Sequence, residues 1–227
     1  MDMATFFQEV LPDICEKRIR PQPAEDGFAL PPDSLAILKA LIVALKVSNV
    51  FEFGSGQSTR SFLEAGCNVR SVEDSQLWLN ETVESIPVDW KSRLHAAHIP
   101  LVTAYDQCVP FRAWSLDHAT LSALREAELI LIDSPAYPPF REHALITSLR
   151  EADDAVIVMD DANIPTVNRF CARLARNNRD LLTFYSRLDH GLYFIGKRRG
   201  QSLTLTGRGF GETVRAWRRF FVGAGRS

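Results

Sequence analysis

Two short runs of this chain are apolar at every position, and they limit the fold more than any other feature. They are 129–132 (LILI) and 156–159 (VIVM). A strand with one face in water alternates polar and apolar residues, whereas a strand covered by helices on both faces is apolar throughout. Amphipathic segments with helical spacing lie between the strand-like runs. The sequence therefore predicts a doubly wound α/β domain built around a mostly parallel sheet.

Seven segments have the length and composition of β-strands. They are 49–53, 68–72, 94–98, 128–132, 155–159, 181–185 and 192–196, with helices predicted near 58–65, 76–86, 117–127, 141–151 and 164–177. Only residues 186–191 separate the last two strands, and a parallel connection needs a dozen residues or more. The last two strands must therefore pair in an antiparallel hairpin.

The two ends of the chain differ from this central alternation. Residues 1–32 are predicted to be a helical appendage, in which apolar residues on one helical face precede a proline-rich stretch. Residues 197–227 hold eight basic residues and one acidic residue, whereas residues 1–196 hold 18 basic and 27 acidic residues. We therefore predict three parts, which are the appendage, a central domain at 33–197, and a basic C-terminal helix within an extension at 198–227.

Composition and the N-terminus exclude several other classes of protein. With 46% hydrophobic residues and a net charge of −2, the 227-residue chain can bury a sizeable core. Its longest apolar stretch, 35–47, is interrupted by two lysines and is shorter than the ~20 residues that cross a bilayer. The first ten residues lack the basic start of a signal peptide, and the four cysteines have no metal-binding spacing. We therefore expect a cytoplasmic protein with no transmembrane segment.

The most informative motif is EFGSGQST at 52–59, in which a strand ends in an acid and a Gly-x-Gly turn opens a helix. Gly54 and Gly56 would let a ligand approach the backbone closely, and the start of the helix offers unpaired N–H groups. Glu73 ends the next strand, about twenty residues further on, where an acid accepts hydrogen bonds from the two ribose hydroxyls of a nucleoside. These residues predict a nucleoside-binding site at the carboxyl ends of the strands.

The acidity of this site distinguishes between nucleosides. Glu52, Glu73, Asp133 and Asp160 all end predicted strands, so their carboxylates meet at one edge of the sheet. A pyrophosphate would favour a third glycine in G-x-G-x-x-G, but Thr59 stands there, and Glu52 would repel phosphates. A cationic nucleoside without phosphate fits better. S-adenosylmethionine, with its sulfonium and α-amino groups, is such a molecule.

Four runs resemble the class I S-adenosylmethionine-dependent methyltransferases, in particular the branch that methylates oxygen atoms of small molecules. They are EFGSGQST, SVEDS, LILIDSPAYPPFR and AVIVMDDAN, and the resemblance extends over most of residues 33–197. It implies a Rossmann-like sheet of seven strands in the order 3-2-1-4-5-7-6, with strand 7 antiparallel. The predicted C-terminal hairpin agrees with that order. The resemblance also implies an enzyme that takes a small-molecule substrate.

The resemblance assigns cofactor roles to the ends of the first two strands. Glu52 would hold the methionine end of S-adenosylmethionine, the Gly54–Gly56 turn would let the cofactor pass the backbone, and Glu73 would accept the ribose hydroxyls. Ser58 or Thr59 would cap the helix beside the cofactor. The complete predicted cofactor-binding set is Glu52, Gly54, Ser55, Gly56, Ser58, Thr59, Glu73, Asp74 and Asp133.

The ends of strands 4 and 5 carry the predicted reactive groups. Asp133, Asp160 and Asp161 resemble the positions at which metal-dependent O-methyltransferases hold a divalent cation, and Mg²⁺ there would orient two substrate hydroxyls and make one more acidic. Asp161 departs from the usual Asn, so Mg²⁺ stays an open alternative to plain polar acids in the pocket. Arg141 could bind a substrate anion or pair with one of these acids, and His190 lies at the predicted hairpin turn. The predicted catalytic set is Asp160, Asp161, Arg141 and His190.

Two other functions stay open at this stage. A nucleic-acid methyltransferase could hold its substrate with the basic extension, but the sequence has no Asn-Pro-Pro-Tyr motif for gripping an extruded base, so nucleic acid is disfavoured as a partner. A NAD-dependent oxidoreductase, or a non-catalytic nucleotide-binding module, is disfavoured by the absent third glycine and by the terminal hairpin. The extension either docks on the acidic body or meets an anionic partner, and a homo-oligomer is left open.

Overall fold

The computed structural model describes residues 2–16, 30–106, 109–135, 140–188 and 190–197. The helices are α1 (Met3–Thr5), α2 (Leu11–Glu16), α3 (Pro32–Leu45), α4 (Gln57–Glu64), α5 (Gln76–Ser85), α6 (His118–Glu126), α7 (Arg141–Glu151) and α8 (Pro165–Asn177). A π-helical turn at Phe6–Val10 joins α1 to α2, and a 3-10 helix at Val88–Arg93 precedes the third strand. The strands are β1 (Asn49–Phe53), β2 (Asn68–Glu73), β3 (Leu94–His98), β4 (Leu101–Asp106), β5 (Val109–Trp114), β6 (Leu129–Ile132), β7 (Val156–Met159), β8 (Leu181–Ser186) and β9 (Leu192–Lys197).

The main sheet has seven strands in the order β3-β2-β1-β6-β7-β9-β8. Neighbouring strands are parallel from β3 to β7, whereas β9 runs antiparallel to both β7 and β8. When the strands of this sheet alone are counted along the chain, the order is the predicted 3-2-1-4-5-7-6 with strand 7 antiparallel. The fold prediction is therefore confirmed, including the C-terminal hairpin of β8 and β9.

The two apolar runs behave as central strands. In β6, Leu129 and Leu131 belong to one hydrophobic cluster, whereas Ile130 and Ile132 belong to the cluster on the opposite face. The residues of β7 divide in the same way, and all eight residues of the two strands are buried. Because successive side chains of a strand point to opposite faces, helices must cover both sides of this sheet.

A second, two-stranded sheet was not predicted. β4 pairs antiparallel with β5, so a hairpin follows β3 where the sequence analysis assigned no element. Polar and apolar residues do not alternate regularly along these two strands, because Pro110 interrupts the pattern and Val102 and Tyr105 are exposed. A two-stranded ribbon tolerates a proline that a central strand would not. The hairpin is nevertheless tied to the core, because the Trp114 ring lies 5.8 Å from the Phe53 ring.

The N-terminal helices share the core of the sheet. Phe6 and Leu11 are fully buried in the same hydrophobic cluster as Phe194 of β9. Phe7 packs so closely on Gly196 that an added Cβ there would lie 2.8 Å from its ring. The predicted division at residue 32 is not tested by these contacts and stays a prediction, and the predicted basic helix at 198–227 lies outside the described residues. In the part of the chain that the structure describes, no helix is long and apolar enough to cross a membrane.

Candidate cofactor and active site

The turn between β1 and α4 requires glycine at its first position. Gly54 has a φ of +102°, in the left-handed region that side chains other than glycine rarely adopt. Its N–H donates to the carbonyl of Val72 at 2.8 Å, which ties the turn to β2. A Cβ at this position would lie 2.7 Å from the Cβ of Ser134, just beyond β6. The turn therefore passes close to two strand ends.

Glu52 lies beneath this turn and not at its surface. The residue is fully buried, and its carboxylate accepts hydrogen bonds from the hydroxyls of Ser58 at 2.5 Å and Thr59 at 2.6 Å. Burial raises the pKa of Glu52 to about 7, although the hydroxyl groups of Ser58 and Thr59 oppose the shift. The hydroxyl oxygen of Thr59 also accepts from the Gly56 N–H at 2.9 Å. Glu52 thus fastens the first turn of α4 to β1.

Glu73 connects the glycine turn to the turn that follows β2. One carboxylate oxygen accepts from the N–H of Ser55 at 2.9 Å, and the other accepts from the N–H of Ser75 at 2.9 Å. The residue is buried, and burial raises its pKa while the two backbone N–H groups lower it. The Ser55 hydroxyl also donates to Oε2 at 3.4 Å, so the remaining acceptor capacity of Glu73 lies chiefly on Oε1, which accepts from Ser75 alone.

Asp74 faces the other side of the glycine turn. Its carboxylate accepts a hydrogen bond from the hydroxyl of Ser134 at 2.6 Å, which connects the end of β2 to the end of β6. The carbonyl of Asp74 lies 3.2 Å from the imidazole Nε2 of His98, at the end of β3. The ends of β1, β2, β3 and β6 therefore meet around one region, as the strand order predicts.

A second group of charges lies at the ends of β6 and β7, around the buried side chain of Arg141. Its Nη2 is 3.3 Å from Asp133 Oδ1, and its Nη1 is 3.0 Å from Asp161 Oδ2. Its Nε donates to the carbonyl of Pro135 at 3.1 Å. The prediction left open whether Arg141 binds a substrate anion or pairs with these acids, and the structure pairs it with Asp133 and Asp161.

The two acids at the strand ends perturb each other. Enclosure by protein and the neighbouring charge of Asp160 raise the pKa of Asp133 well above its ordinary value, and Arg141 opposes that shift. Burial and the charge of Asp161 raise the pKa of Asp160 as well. Oδ1 of Asp160 is buried and has no hydrogen-bond partner among the described residues. This oxygen is therefore an unsatisfied hydrogen-bond acceptor.

His190 joins Asp160 and Asp161 in a compact group. The ligating atoms of these three residues all lie within 4.8 Å of one another, and Nδ1 of His190 is 3.7 Å from Asp161 Oδ1. Backbone bonds hold the hairpin turn here, because the N–H of Asn163 donates to the carbonyl of His190 at 2.8 Å. The predicted metal set was Asp133, Asp160 and Asp161, but the structure groups the last two with His190 and directs Asp133 at Arg141.

This donor set does not fit Mg²⁺. Mg²⁺ prefers an octahedron of oxygen ligands, whereas the group offers two carboxylates and an imidazole nitrogen. One of those carboxylates, Asp161, already contacts the guanidinium of Arg141. A cation at this position would meet a positive charge that no accessible pH removes. We therefore derive no chemistry through Mg²⁺.

Comparison with known proteins gives matches at the level of structure alone. No protein-family profile matches the sequence, and no curated protein matches it. An O-methyltransferase from Bacillus cereus in complex with S-adenosylhomocysteine superposes with a TM-score of 0.54 at 15% identity, over 87% of this chain and 93% of that one. An S-adenosylhomocysteine-bound methyltransferase from Podospora anserina gives 0.55 at 13%, over 84% and 88%. A methyltransferase from Geobacter sulfurreducens gives 0.52 at 13%, over 87% and 90%.

The chain has the class I methyltransferase fold. The seven-stranded order with one antiparallel strand decides this, and the three neighbours share the architecture. Within this fold the predicted residues fall into two groups, one around Glu73 and the glycine turn and one around Asp160. The first is the predicted cofactor region, and the second holds all four predicted catalytic residues, Asp160, Asp161, Arg141 and His190.

One residue beside the glycine turn was not predicted from the sequence. Trp78, in the first turn of α5, donates its indole N–H to the carbonyl of Ser55. Its ring covers Gly56, because a Cβ there would lie 3.7 Å from the indole nitrogen, yet 42% of the residue remains exposed. The sequence feature that could have indicated it is a large aromatic residue one helical turn after the cap residue Ser75. At that position a side chain of the helix faces the glycine turn.

Proposed function

We propose that this protein is an S-adenosylmethionine-dependent methyltransferase that methylates an oxygen atom of a small molecule. The observation that carries the proposal is Glu73, held by the N–H groups of Ser55 and Ser75 beside the glycine turn. Both donors keep the carboxylate oxygens at the carboxyl ends of β1 and β2, where open α/β sheets bind their ligands. The remaining acceptor capacity of Glu73, chiefly on the oxygen bonded to Ser75, suits a ribose hydroxyl of a nucleoside.

The surroundings of Glu73 favour a nucleoside without phosphate. The N–H of Gly56, which would otherwise point at an anion, is already bonded to the hydroxyl of Thr59. Glu52 and Glu73 place two carboxyl groups and no basic group below and beside the turn. A pyrophosphate would meet these acids with few free donors, whereas the sulfonium and amino groups of S-adenosylmethionine are positive.

The second group of residues supplies the acceptor side of the reaction. In methyl transfer, a lone pair of the acceptor oxygen attacks the methyl carbon as the carbon–sulfur bond breaks, and the acceptor loses its proton. The sulfonium is an activated leaving group, so alignment of the two reactants supplies much of the rate. Asp160 offers a buried, unpartnered oxygen to the hydroxyl that gives up the proton, and His190 is the alternative base.

A turnover assay tests the proposal. The protein is incubated with S-adenosylmethionine and separate panels of hydroxylated small molecules, small amines and RNA, and release of S-adenosylhomocysteine is measured. We expect turnover with a hydroxylated small molecule. Asp160→Asn should lower this turnover by about 10²-fold or more, the usual range for a general base, while S-adenosylhomocysteine still binds. Turnover confined to RNA or to the amines would contradict the proposal.

A further inference from the structure

The side chain of Arg141 occupies the position between strand ends at which a cation would balance the carboxylates. The residue is 3% exposed, and its guanidinium contacts Asp133 on one side and Asp161 on the other. Its third contact is the Pro135 carbonyl. Two ion pairs and one hydrogen bond to the loops after β6 and β7 therefore hold this guanidinium, although its Nη1 makes no hydrogen bond with the described residues.

The backbone position of Arg141 makes this placement costly without those acids. Arg141 is the first residue of α7, and the start of a helix carries a partial positive charge that disfavours a cation. The helix itself is fixed, because Ala144, Leu145 and Leu149 are buried in the core cluster. A buried arginine at this end is stable because carboxylates pair with it, and it would otherwise be an uncompensated buried charge.

The same contacts limit what else the acids can bind. Asp161 gives Oδ2 to Arg141, and only Oδ1 remains to face Asp160 and His190. Asp133 is drawn toward Arg141 and does not belong to that group. A divalent ion held by Asp160, Asp161 and His190 would share the Asp161 carboxylate with a guanidinium that stays charged.

We propose that the Arg141 guanidinium is the resident cation of this carboxylate cluster and that the site works without a bound divalent metal ion. Arg141 is then a positioning residue, since it orients Asp133 and Asp161 beside Asp160, whose Oδ1 has no partner among the described residues. The catalytic consequence rests on the proposed function: an acceptor with a single hydroxyl suffices, because no metal requires two oxygens to chelate it. Whether Arg141 takes the place of a divalent metal ion can be tested without measuring turnover.

The test is a count of bound Mn²⁺, measured on the full-length protein after treatment with a chelator and desalting. Free Mn²⁺ is followed by electron paramagnetic resonance during a titration, with and without S-adenosylhomocysteine. The variants are Arg141→Gln, which removes the cation, Arg141→Lys, which keeps a positive charge, and Asp161→Asn, which removes one carboxylate. Asn suits position 161, where φ is +57°, because it tolerates the left-handed region.

We expect the same weak Mn²⁺ binding in wild type, Arg141→Lys and Asp161→Asn. Arg141→Gln should bind Mn²⁺ at least about tenfold more tightly, and adding Asp161→Asn should reduce that gain, because the amide keeps an oxygen ligand but loses the negative charge. One tightly bound Mn²⁺ per chain in the wild type would overturn the proposal, whether or not Asp161→Asn retains it. Equal Mn²⁺ affinity in folded Arg141→Gln and wild type would also overturn it.

If Arg141→Gln does not fold, as judged by circular dichroism, the number of Mn²⁺ ions bound tightly by the wild type still decides the question. Failure of the proposed function gives a different pattern, because S-adenosylhomocysteine would then not bind while the Mn²⁺ results remain as expected. Conversely, a methyltransferase that requires a metal would bind S-adenosylhomocysteine and would also bind Mn²⁺ in the wild type.

Discussion

Glu52 and Glu73 are two buried acids at neighbouring strand ends, and their partners give them different tasks. Glu52 accepts from side-chain hydroxyls under the turn, whereas Glu73 accepts from two backbone N–H groups at its edge. Glu52 thus fastens α4 to β1, and the proposed ribose contact belongs to Glu73. Their sequence positions alone could not separate these tasks, because both acids end a parallel strand.

Substitution Glu73→Gln should weaken S-adenosylhomocysteine binding by about 10- to 100-fold. The reason is that a hydrogen bond to a charged group contributes about 1.5–3 kcal/mol, and an amide supplies only one acceptor oxygen. Isothermal titration calorimetry measures the change. Glu84→Gln, at an exposed position of the neighbouring helix α5, is the matched control and should bind as wild type does. Equal affinity in the two variants would show that the ribose lies elsewhere.

Glu52 should make the stability of the protein depend on pH. Its pKa is about 7 in the folded state against an ordinary value of 4.5, so the folded state binds more protons than the unfolded state between these values. Stability conferred by the protonated acid is therefore lost as pH rises from about 4.5 to about 7, by up to about 3 kcal/mol. Gln resembles the protonated acid and does not titrate.

The measurement is denaturant unfolding of wild type and Glu52→Gln between pH 5 and 8. The difference in free energy of unfolding should shift in favour of the variant as pH rises. Comparison of the two proteins cancels the titration of Asp133 and Asp160, which also have raised pKa values, whereas the charge of Glu73 is part of the Glu52 effect. A difference that stays constant over this range would contradict the account of Glu52.

At the scale of elements, the glycine turn is tightly placed because the ends of β2 and β6 approach it. The N–H of Gly54 donates to Val72 near the end of β2, and a Cβ at Gly54 would meet Ser134, two residues after β6. The motif EFGSGQST predicted the turn, since a glycine pair after an apolar strand needs little context. The approach of Ser134 could not be predicted, because β1 and β6 end level with each other and the contact depends on the path of the loop after β6.

Gly54→Ala should be more destabilising than Gly66→Ala. Both glycines have positive φ, +102° and +93°, so each alanine costs about 1–2 kcal/mol in backbone conformation. Gly66 has open space where a Cβ would lie, whereas Gly54 faces Ser134 at 2.7 Å. We expect a further cost of about 1–3 kcal/mol at Gly54 from overpacking, measured by urea denaturation. Equal losses of stability would mean that the turn does not press on the end of β6.

The β4–β5 hairpin could not be predicted from the periodicity of apolar residues. Its strands lie outside the main sheet, so only part of their side chains meets the core, and the alternation of polar and apolar residues is weak. The ring of Phe111 stacks on that of His143 at 5.0 Å, a contact between distant segments that local sequence does not encode. The same holds for Arg141, whose partners come from two separate loops.

At the scale of the whole molecule, the all-apolar strands determined the architecture. A strand such as LILI must be buried on both faces, which places it inside a sheet covered by helices on both sides. The short connection before β9 makes β9 antiparallel to β8. The N-terminal helices pack on the domain, and Phe6 and Leu11 lie within its core. The acids of the site were predicted by position, but their division between a cofactor region and an Arg141-centred cluster required the tertiary structure.

A thermal-shift comparison tests whether the site binds an S-adenosyl nucleoside. The melting temperature of the wild-type protein is measured in buffer, with S-adenosylhomocysteine, and with NAD. A ligand at 100 times its Kd adds about 2.7 kcal/mol to the free energy of unfolding, which for a chain of this size is a rise of about 5–10 °C. The account predicts such a rise with S-adenosylhomocysteine and none with NAD. A rise with NAD and no change with S-adenosylhomocysteine would contradict it.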